Sequence, residues 1–146
     1  MSPRSLALLG ILSLGALAGC DGKIKQCNAF IDRANKSQAV IGAIQFESDD
    51  SKKLEADAAK VDAEAKGLSE VKLSDAKLVK LRDDYAANLT KLGKTVRDLA
   101  KLQADAKAGK TQGLEAQAKK ITSDADAVEK AEGKIVEDIN AYCQGK

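Results

Sequence analysis

Apolar residues recur at steps of three and four along four segments of the chain, which is the spacing of one buried face on packed α-helices. The clearest segment carries Leu114, Ala118, Ile121, Ala125, Val128, Glu132, Ile135, Ile139 and Tyr142 on that face. The segment before it carries Leu78, Leu81, Tyr85, Leu89, Leu92, Val96, Leu99, Leu102 and Ala106. Both segments therefore predict long helices that pack against others, and Glu132 is the one charged member of the two faces.

Two earlier segments repeat the pattern over shorter lengths. The first carries Ile24, Cys27, Ile31, Ala34, Gln38, Ile41 and Ile44, flanked by Phe30 and Val40. The second carries Leu54, Ala58, Val61, Ala65 and Leu68. Residues 47–51 between them read ESDDS, which offers Ser and Asp as helix N-caps but contains neither Gly nor Pro. The pattern leaves open whether the chain turns there, which gives four helices, or continues, which gives three.

The first twenty residues show a different pattern. Arg4 is followed by an apolar stretch from Leu6 to Leu14, the arrangement of a secretory signal peptide, and the apolar run is too short to span a membrane. It ends in Leu17-Ala18-Gly19-Cys20. This sequence resembles the lipobox of bacterial lipoproteins, and the resemblance implies cleavage between Gly19 and Cys20 and lipid attachment to Cys20. The alternative is an ordinary signal peptide whose cleavage site happens to precede a cysteine.

The lipobox resemblance also implies the compartment and the domain boundaries. Residues 1–19 are predicted to be the signal peptide, residues 20–22 a lipidated tether and residues 23–146 a single helical domain. Because two or more acyl chains hold a protein stably on a bilayer, we expect a chain anchored to a bacterial membrane that faces the periplasm or the cell exterior. Asp21 resembles the residue that retains lipoproteins in the inner membrane of enteric bacteria, which favours the inner membrane over the outer.

Cys27 and Cys143 are the two cysteines that remain once Cys20 is lipidated. Exported proteins meet an oxidising compartment in which such a pair forms a disulfide, and its two Cα atoms must then lie within about 7 Å. The start of the first helix and the end of the last lie at the same end of an up-and-down bundle of four helices, but at opposite ends of a bundle of three. The pair predicts an all-α, up-and-down four-helix bundle with a disulfide. The alternative is a three-helix bundle with two unpaired thiols.

Capping residues predict where the third and fourth helices begin and end. Ser74 is expected to cap a helix over residues 75–108. Gly109 is expected to end that helix and Thr111 to start the next one. These residues predict a short loop between two long antiparallel helices.

Composition and charge exclude several kinds of function. Removing residues 1–19 takes away one of the 24 basic residues, Arg4, and none of the 22 acidic ones, so the net charge falls from +2 to +1. A balanced charge offers no field that would attract nucleic acid, so we expect no nucleic-acid partner. The chain has no His, which excludes the Ser-His-Asp triad and the His-containing di-metal sites of helical bundles. We therefore predict no catalytic residue, no metal and no cofactor, and a protein that is not an enzyme.

Two motifs that suggest ligand binding fail on their spacing. Gly93-Lys94-Thr95 and Gly109-Lys110-Thr111 match the end of a phosphate-binding loop, but the residues five positions before each Gly are Asn88 and Ala104 instead of Gly. Acidic neighbours such as Asp83 and Asp84 point apart on a helix and do not converge on a cation. Neither motif predicts a site.

The first segment is richer in amide side chains than the others. Its polar residues are Gln26, Asn28, Asp32, Arg33, Asn35 and Gln38. Such side chains form a solvated face, bond to neighbouring helices or contact a partner. This is the one candidate contact surface in the sequence.

These observations favour a lipid-anchored, disulfide-linked helical bundle that binds an unidentified protein of the cell envelope. The alternative is a structural tether, because the chain resembles the major murein lipoprotein: that family is also lipidated, helical and rich in Ala, Lys and Asp, and its terminal basic residue is joined to peptidoglycan. Lys146 matches that position, while the several helices and the nearby Cys143 and Gly145 depart from the family's pattern. An enzyme, or a carrier of a small ligand in the bundle core, is the third possibility.

Overall fold

A computed structural model describes residues 21–144, with the backbone alone at Asp21. Within this range the chain forms four helices: α1 (Asp21–Gly42), α2 (Ser51–Ser69), α3 (Ala76–Lys107) and α4 (Leu114–Gln144). The predicted all-α four-helix bundle is confirmed. The predictions for residues 1–20, including Gly19 and Cys20, and for Lys146 lie outside the described residues.

Helix α3 lies at the centre of the packing. Its largest interface is with α2 and the next is with α4, while α1 packs mainly on α2. Loops of eight, six and six residues connect the helices, and such short loops make consecutive helices antiparallel. Within the described residues α1 and α4 share few contacts. The edge where the first helix meets the last is therefore the loosest of the bundle.

Two aspartates cap helices at their N-termini. The side chain of Asp50 accepts hydrogen bonds from the backbone amides at the start of α2, and Oδ1 of Asp75 accepts from the amides of Lys77 at 2.9 Å and Leu78 at 3.0 Å. Asp50 lies in the segment expected to offer a cap. The prediction that Ser74 caps the third helix is wrong by one residue, because Asp75 takes that position and Ser74 lies in the preceding loop.

Two glycines with positive φ bound the loop between α3 and α4. Gly109 has φ 75° and ends α3 as predicted, while Gly113 has φ 80° and immediately precedes α4. A residue in the left-handed conformation cannot be part of a right-handed helix, so α4 begins only after Gly113. The prediction that Thr111 starts the fourth helix is therefore wrong by three residues, and the helix begins at Leu114.

Most of the buried core comes from α2 and α3. Ten residues of α3 are buried, among them the fully buried Leu78, Tyr85 and Val96, whereas Val128 and Ile139 are the two that α4 buries. Ala125 of the predicted α4 face is exposed. The apolar face of α4 is thus covered only in part.

The buried face of α1 differs from the predicted one by a small rotation. Cys27, Ala34 and Ile41 are buried as expected, but Phe30 is fully buried where Ile31 was expected, and Ser37 is buried beside Gln38. Ile24, predicted to lie on the buried face, is 41% exposed. Burying Phe30 removes more apolar area from water than burying Ile31 would, which accounts for the rotation.

Candidate functional site

The disulfide between Cys27 and Cys143 joins the start of α1 to the end of α4. The two Cα atoms are 5.7 Å apart and the bond closes a loop with a sequence separation of 116. Cys27 is buried, and Cys143 packs against the core. The predicted pairing is present, and it lies where four antiparallel helices bring the two ends of the domain together. We call this the disulfide end; it comprises residues 22–27, 70–77 and 141–144.

Gln26 connects α1 to the start of α3 at the disulfide end. Its Oε1 accepts hydrogen bonds from the backbone amides of Ser74 at 2.6 Å and Asp75 at 3.0 Å. These amides precede α3 and have no partner within that helix. Gln26 therefore supplements the Asp75 cap from a different helix, and the amide-rich face of α1 is used here inside the fold.

Tyr142 brings the end of α4 to the same place. Its hydroxyl donates to Oδ2 of Asp75 at 2.8 Å, and the ammonium of Lys23 lies 3.8 Å from the centre of its ring. A cation over an aromatic face is attracted by the ring. The hydrogen bond from the Leu78 amide, followed by the one from Tyr142, lowers the pKa of Asp75, and the same carboxylate raises the pKa of Tyr142.

Sequence reasoning identified part of this cluster. Gln26 was a candidate contact residue and Tyr142 a member of the α4 face, but Lys23 and Asp75 were missed. Four antiparallel helices that bring Cys27 beside Cys143 also bring the start of the third helix to that end. An aspartate at a helix start, next to the end of another helix, was the signal that could have found the cluster.

The predicted tether is shorter than expected in the part that the structure describes. Helix α1 begins at Asp21, so residues 21 and 22 of the predicted tether belong to the helix. The side chain of Asp21, the predicted sorting residue, is not among the described atoms.

A partly buried polar cluster joins α1, α3 and α4. The amide nitrogen of Gln38 donates to the hydroxyl of Tyr85 at 2.6 Å and to Oε1 of Glu132, and the Tyr85 hydroxyl lies 3.2 Å from the same carboxylate. Tyr85 is fully buried, and this burial, followed by the charge of Glu132, raises its pKa far above the ordinary 10.0. The two polar members of the predicted apolar faces therefore bond to each other, and they link α1 to α4.

A second polar group lies beside a small cleft between α3 and α4. Asn88 is 3% exposed and donates from Nδ2 to the carbonyl of Val128 at 3.1 Å, while its Oδ1 is buried without a hydrogen-bond partner among the described residues. The cleft has a volume of about 300 Å³. Small side chains of α4, Ala127 and Ala131, leave this space opposite Asn88.

The remaining polar residues of α1 divide between internal bonds and solvent. Arg33 pairs with the Glu64 carboxylate on α2 and donates to the Glu64 carbonyl at 3.2 Å, and the Ser37 hydroxyl donates to that carboxylate at 3.1 Å. Asn28, Asp32 and Asn35 are exposed. The predicted contact surface is therefore reduced to these three residues, because Gln26, Arg33 and Gln38 bond to other helices.

The motifs that failed on spacing have structural roles. Gly93 is buried in α3, where a Cβ would lie 2.5 Å from Oδ1 of Asp62 on α2, and Gly109 lies in the exposed loop after α3. Asp84 pairs with Lys80 at 2.6 Å, and Asp83 pairs with Arg82 at 2.7 Å. Among residues 21–144 no three His, Cys, Asp or Glu side chains gather as a group able to hold a metal ion.

A surface depression runs between α2 and α3. It has a volume of about 560 Å³ and is open to solvent. Its floor is lined by small side chains, including Ala65, Ala86, Ala87 and Thr90, and Asp62 pairs with Arg97 at its rim. It is a shallow groove without a buried polar group.

Comparison of the chain with protein-family models, curated proteins and solved structures found no match. None of the four described helices combines the length and the apolarity needed to cross a membrane.

Proposed function

We propose that this chain is a lipid-anchored lipoprotein of the bacterial cell envelope that acts as a non-enzymatic helical module and binds an envelope protein. One observation carries the proposal: α1 begins at Asp21, directly after the cysteine of the lipobox, and the disulfide fastens α4 at the same end. A lipid on Cys20 would therefore hold both ends of the domain at the membrane. The rest of the bundle would face the periplasm or the cell exterior.

The surface available to a partner lies along the helices. The α3–α4 hairpin is about 48 Å long at 1.5 Å per residue, and most side chains in the first half of α4 are exposed or half-buried. Exposed Asn28, Asp32 and Asn35 add polar groups on α1. These faces support docking against another folded protein, and the inner membrane is the favoured location because of Asp21.

The anchor is tested by exchanging Cys20 for Ser. The wild-type protein is expected to fractionate with membranes and to give an N-terminal peptide whose mass includes acyl chains on Cys20. The Cys20→Ser protein is expected to leave the membrane fraction. A matched control is Lys110→Ser in the exposed loop, which should leave fractionation unchanged. Retention of the Cys20→Ser protein in membranes would refute the lipid anchor.

The partner is sought by crosslinking in cells, followed by mass spectrometry. An affinity tag belongs between Gly109 and Gln112, because this loop is exposed and the tag leaves the C-terminus free. Reproducible recovery of one envelope protein supports the binding module and identifies the partner. A protein without the tag is the control for background.

The structural tether remains the second candidate and gives a different result in the same experiment. Recovery of muropeptides joined through Lys146, without a protein partner, would favour a link to peptidoglycan. Removing Lys146 must then abolish the muropeptides, whereas Lys130→Gln on exposed α4 must not. Recovery of muropeptides would reverse the order of the two candidates.

A further inference from the structure

The disulfide end carries exposed basic side chains and an exposed apolar one. Lys25, Lys72 and Lys77 are exposed, and Lys23 is half-buried over the Tyr142 ring. Ile24, at 41% exposure, is the one exposed large hydrophobic side chain among the described residues. Basic residues next to an exposed apolar side chain are typical of surfaces that lie on anionic membranes.

The disulfide end carries more basic than acidic residues. Four lysines lie there with two acidic residues, Glu70 and Asp75, and the Asp75 carboxylate is already used by its cap and by Tyr142. The loops at the opposite end, residues 43–50 and 108–113, contain three acidic residues and one basic residue. Lys53 and Lys107 of the flanking helices also bond to the first of these loops, so the clear net charge is the +2 of the disulfide end.

We propose that the disulfide end is a lipid-binding surface that lies flat on anionic head groups, with its lysines on the phosphates and Ile24 at head-group depth. The proposal rests on the lipid anchor, because a lipidated Cys20 would precede α1 without an intervening spacer and bring this end to the bilayer. Lipid contact would then orient the helices away from the membrane. The loop 43–50, with its three acidic residues, would then lie at the end of the bundle farthest from the membrane.

Lysine footprinting of the full-length lipidated protein tests this surface. The protein is placed in vesicles of phosphatidylcholine alone or of phosphatidylcholine with phosphatidylglycerol, and lysine acetylation is measured by mass spectrometry. Lys23, Lys25, Lys72 and Lys77 should react about fivefold more slowly in the anionic vesicles, the factor expected for one lysine attracted to an anionic surface. Lys110 and Lys119, far from this end, should react equally in both. High salt should remove the difference.

Variants separate lipid recognition from a general effect of vesicles. Changing Lys25, Lys72 and Lys77 together to Gln should abolish most of the protection of Lys23, while the same change at Lys110, Lys119 and Lys130 should preserve it. All six side chains are exposed, so both variants should fold.

The remaining outcomes distinguish the surface from the anchor. In one outcome the protein floats with the vesicles, but Lys23, Lys25, Lys72 and Lys77 react as fast as Lys110 and Lys119 in both kinds of vesicle. This result would overturn the lipid-binding surface and leave the anchor intact. In another outcome these four lysines react more slowly than Lys110 and Lys119, but by the same factor in neutral and anionic vesicles. This result would overturn recognition of anionic lipid. A protein that does not float, and whose N-terminal peptide lacks acyl chains, would overturn both the surface and the proposed anchor.

Discussion

The hydroxyl of Tyr142, near the end of α4, donates a hydrogen bond of 2.8 Å to the carboxylate of Asp75, which caps α3. The last helix thus stabilises the first turn of the third helix. The Cys27–Cys143 disulfide lies one residue further along α4. The cap, the tyrosine and the disulfide therefore act on the same end of the bundle.

The titration of Asp75 should report this contact. Its pKa lies below the ordinary 3.8, mainly because of the Leu78 amide and then because of Tyr142. The resulting stability is complete above the ordinary pKa of an unfolded aspartate and is lost as the pH falls through the lower folded pKa. Tyr142→Phe should raise the pKa of Asp75 but leave it below the ordinary value, since the Leu78 bond remains. The NMR chemical shift of the Asp75 side-chain carboxyl carbon measures the titration in the wild-type protein and in the variant.

Asp105 supplies the control for that titration. Its pKa is lowered by hydrogen bonds from Lys101 and then from Lys110, at the opposite end of the bundle. Tyr142→Phe should not change the pKa of Asp105. An unchanged pKa of Asp75 in this variant would contradict the role given to the tyrosine.

The spacing of apolar residues predicts the helices. The two cysteines, one near each end of the domain, predict both the disulfide and an even number of helices, because only then do the two ends of the domain meet. Neither pattern predicts which of two adjacent residues takes a local position. Ser74 and Asp75 are equally good caps, and the bond from Tyr142 to Asp75 appears only once α4 is packed. Phe30 and Ile31 both suit an apolar face, and packing against α2 and α3 selects Phe30.

Polar members of the apolar faces were visible in the sequence, but their pairing was not. Gln38 and Glu132 are 94 residues apart, and each interrupts an otherwise apolar pattern. Periodicity assigns each residue to the buried face of its own helix, but it does not show which residues of two helices lie side by side along the bundle axis. This alignment along the axis depends on loop lengths and core packing. Polar residues on two predicted buried faces are nevertheless a signal that they bond each other.

Glu132→Leu should reduce the free energy of unfolding by about 1–3 kcal/mol, because Gln38 and the buried Tyr85 hydroxyl lose a shared acceptor. Glu132→Gln should cost less, since its amide oxygen can still accept both bonds. Urea unfolding followed by circular dichroism measures the two losses. Glu129→Leu, an exposed position on the same helix, should change stability by about 0.5 kcal/mol or less. Equal losses in Glu132→Leu and Glu129→Leu would contradict a stabilising cluster.

Two helical glycines should respond differently to substitution by Ala. Gly133 in α4 has open space at its Cβ position, so Gly133→Ala should raise the free energy of unfolding by about 0.5–1 kcal/mol through helix propensity. A Cβ on Gly67 would clash with Nη2 of Arg33, so this guanidinium, which bonds to Glu64, would have to shift. Gly67→Ala should therefore gain less stability than Gly133→Ala or lose some. Thermal unfolding compares the two variants, and a larger gain at Gly67 would show that the Arg33 pair is unimportant.

Breaking the disulfide should have both a global and a local effect. The closed loop of 116 residues corresponds to about 5 kcal/mol of stability in the chain-entropy model, so reductant should lower the urea midpoint of the wild-type protein. Since α1 and α4 share few other contacts, hydrogen exchange in the first turns of α1 should accelerate more than in the α2–α3 core. The Cys27→Ser, Cys143→Ser double variant should match the reduced protein and should not respond to reductant. If reductant leaves the wild-type midpoint unchanged, the disulfide does not stabilise the bundle. The Gln38–Glu132 bond and core packing alone would then have to hold α1 against α4.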